Sequence, residues 1–164
     1  MRHKATKEQA KTLALMLGLP VKYSLRAARV LELWEPEANR GAAIRRPLEV
    51  YNQVKSIHRA KKEYLLGLYL DAQNHLICKE TISVGSLNTT RTHPREILYP
   101  AVSHLALGFI LVHNHPSGSL DPSDEDITFT QSVKRASDLL GIELYDHVIV
   151  TRTGYTSLQE RGAF

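Results

Sequence analysis

The run Gly108-Phe109-Ile110-Leu111-Val112 passes without a break into His113-Asn114-His115-Pro116-Ser117-Gly118, and this junction constrains the fold more than any other part of the chain. A short apolar run, partly β-branched and aromatic, predicts a buried strand that ends where the histidines begin. Side chains two apart on an extended backbone share a face, so both imidazoles project into one pocket. Pro116, Ser117, Gly118 and Pro122 then force a loop. After it, Ser123-Asp124-Glu125-Asp126 opens a helical pattern that runs through Leu140 and stops at Gly141. That path returns Asp126 towards the histidines.

Two neutral imidazoles and one carboxylate are a ligand count that a catalytic metal can use, because the fourth position stays open for water. His113, His115 and Asp126 fit that count. Ser-x-x-Asp before an apolar periodic run is also a helix-capping pattern, in which the Ser123 hydroxyl satisfies a free backbone N–H and Asp126 is favoured by the helix dipole. Capping accounts for Ser123 and Asp126 but not for His-x-His at the end of a buried strand.

The spacing His-x-His, seven residues, Ser, two residues, Asp resembles the JAMM motif of JAB/MPN-type metalloproteases. The chain is more closely similar to the RadC family within that group. The matching segments are Val84-Gly85-Ser86-Leu87-Asn88, His93-Pro94-Arg95-Glu96, His113 to Gly118 with Pro122-Ser123 and Asp126, Asp146-His147-Val148-Ile149, and Ser157-Leu158 with Glu160-Arg161-Gly162. The resemblance as a whole covers the chain from about Pro47 to the C-terminus.

This resemblance implies an α/β (α+β) domain: a mixed central β-sheet flanked by helices, similar to that of cytidine deaminases. The local patterns agree. Pro47 to Ile57 predicts a helix with proline in its first turn. Glu63 to Leu70 predicts a strand running into the turn Asp71-Ala72-Gln73-Asn74, with His75 to Val84 as its hairpin partner. Pro94 to Leu107 has helical spacing, Glu143 to Thr151 alternates as a strand, and Tyr155 to Leu158 follows a turn at Arg152-Thr153-Gly154. Alternating strands and helices call for a layered domain.

Hydrolysis by a metal-activated water also needs a general base, and Glu63, Glu80 and Glu96 compete for that role. In JAMM proteins the base is a glutamate at the head of the first core strand, and the resemblance assigns it to Glu63. Residue pattern alone leaves Glu63 open to being an exposed residue beside Lys61 and Lys62, and gives Glu96 a place at a helix start. The resemblance further implies Zn²⁺ on His113, His115 and Asp126, with the Ser123 hydroxyl donating to the developing oxyanion. His93 and His147 either orient a ligand or make structural hydrogen bonds. His3, His58, His75 and His104 have no ligating spacing. Asn114 should point away from its two neighbours and fix the loop.

At 164 residues and 43% hydrophobic content the chain has material for one compact domain, expected at 44–164, and a small N-terminal element at 1–43. The apolar run Thr12 to Leu19 stops at Pro20, too short to span a membrane and without a cleavage site, so a cytoplasmic location is expected. The single cysteine, Cys78, excludes an intramolecular disulfide, and its place inside a strand suggests a buried inert thiol. Residues 1–62 carry 14 Lys and Arg against 5 Asp and Glu, whereas 63–164 carry 7 against 12. In the basic part, Lys7 to Met16 and Ser24 to Leu33 read as helices around Gly18-Leu19-Pro20, and Trp34 to Ala43 as a linker. Such a pair resembles the helix-hairpin-helix element of many RadC-like proteins, in truncated form, although Pro20 stands where a second glycine would approach a phosphate.

Two functions follow. One is a zinc hydrolase cleaving an amide, either a peptide or an isopeptide bond, as characterised JAMM relatives do. The other is a DNA-repair-associated accessory protein that binds nucleic acid through the basic arm, with metal in a structural role. Deaminase chemistry is disfavoured by the absence of a Cys-x-x-Cys ligand pair. The sequence does not fix the oligomeric state.

Overall fold

The computed structural model describes residues 43–85 and 92–164. The expected N-terminal arm and its two helices, the linker as far as residue 42, and Ser86-Leu87-Asn88 of the matched segments lie outside the described residues. From Ala43 on, the elements are helix α1 (Pro47–Gln53), a 3₁₀ turn (Lys55–Ile57), strands β1 (Glu63–Leu70) and β2 (Leu76–Gly85), helix α2 (Pro94–Ser103), strand β3 (Gly108–Asn114), helix α3 (Asp124–Leu139), and strands β4 (Glu143–Val150) and β5 (Tyr155–Ser157). This is the mixed α+β architecture that the sequence predicts.

The strands form one five-stranded sheet in the order β2-β1-β3-β4-β5. β1 is antiparallel to both β2 and β3, β3 and β4 run parallel, and β5 returns antiparallel to β4. The β1–β2 hairpin is closed by Asp71, whose Oδ1 accepts from the backbone N–H groups of Gln73 and His75 at 2.8 and 2.9 Å, while Asn74 adopts φ 65°. A side-chain acceptor followed by a residue tolerant of positive φ is what such a turn needs. The parallel β3–β4 pair requires a long crossover, and α3 supplies it.

Each face of the sheet carries its own apolar layer, as period-two alternation dictates. Leu66, Leu68, Leu70, Ile110, Val112, Val148 and Val150 pack against Val50, Val54 and Ile57 on the α1 side. Leu65, Tyr69, Phe109, Leu111 and Leu144 pack against Ile97, Leu98 and Ala101 of α2 and Phe129 and Val133 of α3. All seven residues of β3 are buried, so the central strand is covered on both faces. The alternate residues Phe109, Leu111 and His113 point to the α2/α3 side, and the apolar stripe therefore ends in an imidazole.

α2 is shorter than its apolar spacing predicts, ending at Ser103 and not Leu107. Pro100 lacks the N–H that would bond back to Glu96, and Leu105 turns left-handed at φ 53°. This reversal lets Ala106 N–H reach Ala101 O at 2.9 Å and Leu107 N–H reach Leu70 O at 3.0 Å, which feeds the chain into β3.

Gly108 begins β3 where a Cβ would meet the Glu143 carbonyl oxygen at 2.7 Å and the Tyr145 ring. Because one obstacle is backbone, Gly108→Ala should separate β3 from β4 locally and destabilise the fold by ~1–3 kcal/mol in chemical denaturation. An unchanged denaturation midpoint would contradict this close packing.

Candidate metal centre

His113 lies at the C-terminal end of β3, and the rings of His113 and His115 approach edge-on with centroids 4.7 Å apart. Asp126 occupies the third position of α3, one turn after its N-cap Ser123. The Ser123 hydroxyl accepts from Asp126 N–H at 3.1 Å and donates to Asp126 Oδ2 at 2.7 Å, and the Ser123 N–H donates to the same oxygen at 2.8 Å. The capping reading of Ser-x-x-Asp and its approach to the histidines are therefore both realised. With Oδ2 engaged twice by Ser123, Oδ1 faces His113 Nε2 at 3.3 Å.

Proton bookkeeping defines what these groups present to one another. The Thr130 hydroxyl is 2.6 Å from the Asp126 carbonyl oxygen, which only accepts, so its single proton is committed there. His147 Nδ1, also 2.6 Å from Thr130 Oγ1, must then be the donor. That leaves His147 Nε2 to accept from His113 Nδ1–H at 2.8 Å. His113 Nε2 is left with a bare lone pair. On the other ring, His115 Nδ1 donates to the Ser119 carbonyl at 2.9 Å, which turns His115 Nε2 towards His113 and Asp126.

The two Nε2 atoms lie 2.9 Å apart, and His115 Nε2 is 3.5 Å from Asp126 Oδ2. These groups are stable this close only with a positive charge among them, either a proton on His115 Nε2 or a metal ion in its place. Bonds of ~2.0–2.2 Å to a tetrahedral ion would separate its donors by ~3.3–3.6 Å. The observed spacings need only small shifts to match, and the group is able to hold a metal.

Burial pushes His113 and His147 below the ordinary histidine range, and both are fully enclosed, which keeps them neutral. His115 is raised, chiefly by its hydrogen bond with Asp126. Burial alone would raise the Asp126 carboxyl, but the adjacent His113, His115 and Ser123 hold it far below the usual carboxylate range.

Glu63 opens β1. Leu65 pairs with His113 in an antiparallel register, so Glu63 stands two residues along, towards His115. Its charge reaches both imidazoles and favours their protonated forms. The buried Asn114 fixes the backbone on either side of it. Asn114 Oδ1 accepts from Tyr64 N–H at 2.8 Å, and Nδ2 donates to the Lys62 carbonyl at 3.0 Å and the Ala60 carbonyl at 3.5 Å. Asn114 thus points away from its neighbours, as expected, but fastens the entry to β1 and not its own loop. The amide supplies the one acceptor and the two donor hydrogens that this strap uses.

His147 touches a candidate ligand directly. His93 instead caps α2, with Nδ1 accepting from Arg95 N–H at 3.3 Å. Glu96 is exposed in the first turn of α2 and Glu80 is exposed on β2, so neither accompanies this cluster. Thr130 was not among the expected site residues. Its only sequence signal is its position four residues after Asp126, one helical turn on the same face.

Residues 44–163 match the model of the family described as RadC-like JAB domain. Three relatives, each called UPF0758 protein, are similar to this chain. The one from Aquifex aeolicus (strain VF5) is 42% identical over 73% of this chain and 52% of its own length. For Methanococcoides burtonii the figures are 43%, 82% and 58%. For Lactococcus lactis subsp. cremoris they are 48%, 62% and 44%. The chain spans about half the length of these relatives.

Thr130→Val keeps the side-chain shape but removes the hydroxyl that sets the His147 and His113 tautomers. Metal affinity, read by competition with a chelator, should fall ~10–100-fold with the fold retained. Unchanged affinity would show that the relay does not prepare His113.

Proposed function

The chain belongs to the RadC-like JAB domain family, and on that premise we propose that it is a zinc-dependent hydrolase of JAMM type acting on a peptide or isopeptide bond. The observation that carries this reading is the convergence of the Nε2 atoms of His113 and His115 on Asp126, with Glu63 alongside. A nitrogen–nitrogen–oxygen donor set is one that zinc accepts in catalytic sites. Bound by these three residues, the ion would polarise a carbonyl and lower the pKa of a water to ~7.

The protein's own groups account for the remaining steps. Glu63 accepts the proton of the attacking water and returns it to the departing nitrogen, so no net proton leaves the site. Asn114 keeps Glu63 at that post by holding residues 60 to 64. Ser123 holds Asp126 in the resting site with its one hydroxyl proton. Its oxyanion role requires that proton to swing from Asp126 Oδ2 to the developing charge, a contribution of ~3 kcal/mol in comparable sites. His147 and Thr130 act through His113, as positioning residues.

A second reading, association with nucleic acid through the N-terminal arm, is supported by 8 basic against 4 acidic residues in 1–43, continued by 6 against 1 in 44–62. It is compatible with hydrolysis, because the arm and the centre share no residues. Among the described residues no helix is long and apolar enough to cross a membrane. A cytoplasmic location is part of the same proposal.

The test is a screen of the zinc-loaded protein against peptide and isopeptide-linked substrates, with chelated protein and Glu63→Gln in parallel. Chelation should abolish cleavage and added zinc should restore it. Glu63→Gln should retain the metal and lose ~10²–10⁴-fold in kcat. Full activity in Glu63→Gln, or in the chelated protein, would contradict the mechanism.

A further inference from the structure

On the edge strand β2, Cys78 and Glu80 are alternate residues on one face of the strand. Cys78 packs against the core layer beneath α2, and the C-cap residue of α2 is His104. His104 Nε2 lies 3.9 Å from Glu80 Oε1, and one donor atom from each of the three residues lies within 4.8 Å of the other two. Both backbones are firmly placed. Cys78 and Glu80 pair with Tyr69 and Gly67 in the β1–β2 ladder, and His104 N–H bonds back to Pro100 O at 2.9 Å. Tyr69 is four residues from Leu65, the partner of His113, which is ~13 Å along the strand. The cluster is therefore separate from the candidate centre, and its two polar side chains are half exposed.

We propose that Cys78, Glu80 and His104 form a second Zn²⁺ site, independent of the hydrolase reading, that ties the edge strand β2 to the end of α2. Thiolate, imidazole and carboxylate together suit zinc, whereas magnesium and calcium prefer oxygen alone. A tetrahedral ion would set these donors ~3.3–3.6 Å apart, a contraction that the half-exposed Glu80 and His104 side chains can make by rotation. The fourth position faces solvent and takes water. On binding, the thiol gives its proton to solvent and the thiolate bonds the cation. Burial, aided by the Glu80 carboxylate, raises the free Cys78 thiol to about 11. A cation between the two groups offsets both effects. His104 could not be found from spacing, because it lies 24 residues beyond Glu80.

Cys78 is the only cysteine, so a thiolate-to-metal signal can arise nowhere else in the chain. The experiment is a Co²⁺ titration of the reduced protein, followed by the sulfur-to-cobalt charge-transfer absorption in the near ultraviolet. The wild type should develop this band and saturate it at about one equivalent assigned to the thiolate site. His113→Ala should keep the band, which separates this proposal from the fate of the hydrolase reading. Cys78→Ser should abolish it, while His104→Ala and Glu80→Gln should each weaken the affinity at least ~10-fold with unchanged circular dichroism. No band in the wild type, or a band of unaltered affinity in both His104→Ala and Glu80→Gln, would overturn the site.

Discussion

Two imidazoles buried without a charge must place every ring nitrogen, and that constraint organises the α2/α3 side of this protein. Thr130 gives its proton to the Asp126 carbonyl, His147 gives one to Thr130, and His113 gives one to His147. The chain of donations can run only one way, because its terminus is a carbonyl. It ends by stripping Nε2 of His113 of a proton at the point where His115 and Asp126 meet. If the order were reversed, His113 would present an N–H to the centre and could not ligate. A hydroxyl on a helix thus determines the chemistry of a side chain on a strand.

The sheet topology gives that arrangement its place. β3 and β4 are parallel, so their C-terminal ends lie side by side, and α3 crosses back over them to deliver Asp126 from its first turn. β1 is antiparallel to β3, which puts its beginning, and Glu63, at the same end. Asn114 couples the two strands beyond their ladder. Its buried amide satisfies three backbone groups around Glu63, and a buried amide left without those partners would carry a desolvation cost. The residue between the two histidines is therefore part of the same device, though it faces the opposite layer.

Much of this was legible in the chain itself. The strand readings at Glu63 to Leu70 and at Glu143 to Thr151 located β1 and β4 closely, and proline and serine marked the helix starts at Pro47, Pro94 and Asp124. His-x-His could be read as a pair because β structure repeats every two residues. The end of α2 was not legible, since apolar spacing continues past Pro100 while a left-handed Leu105 ends the helix. Nor were the partners of His147 and Asn114, which lie 17 to 54 residues away and meet only through the sheet. Spacing rules see neighbours along one element, whereas hydrogen-bond relays are built across elements.

The most direct measurement is a crystal structure of the zinc-loaded protein with anomalous diffraction collected at the zinc edge. The account predicts a peak bounded by His113 Nε2, His115 Nε2 and Asp126 Oδ1, with His113 Nδ1 still bonded to His147 and the Glu63 carboxylate facing the ion. A zinc-loaded crystal with no anomalous density among these three residues, or with His113 turned away from His147, would contradict it.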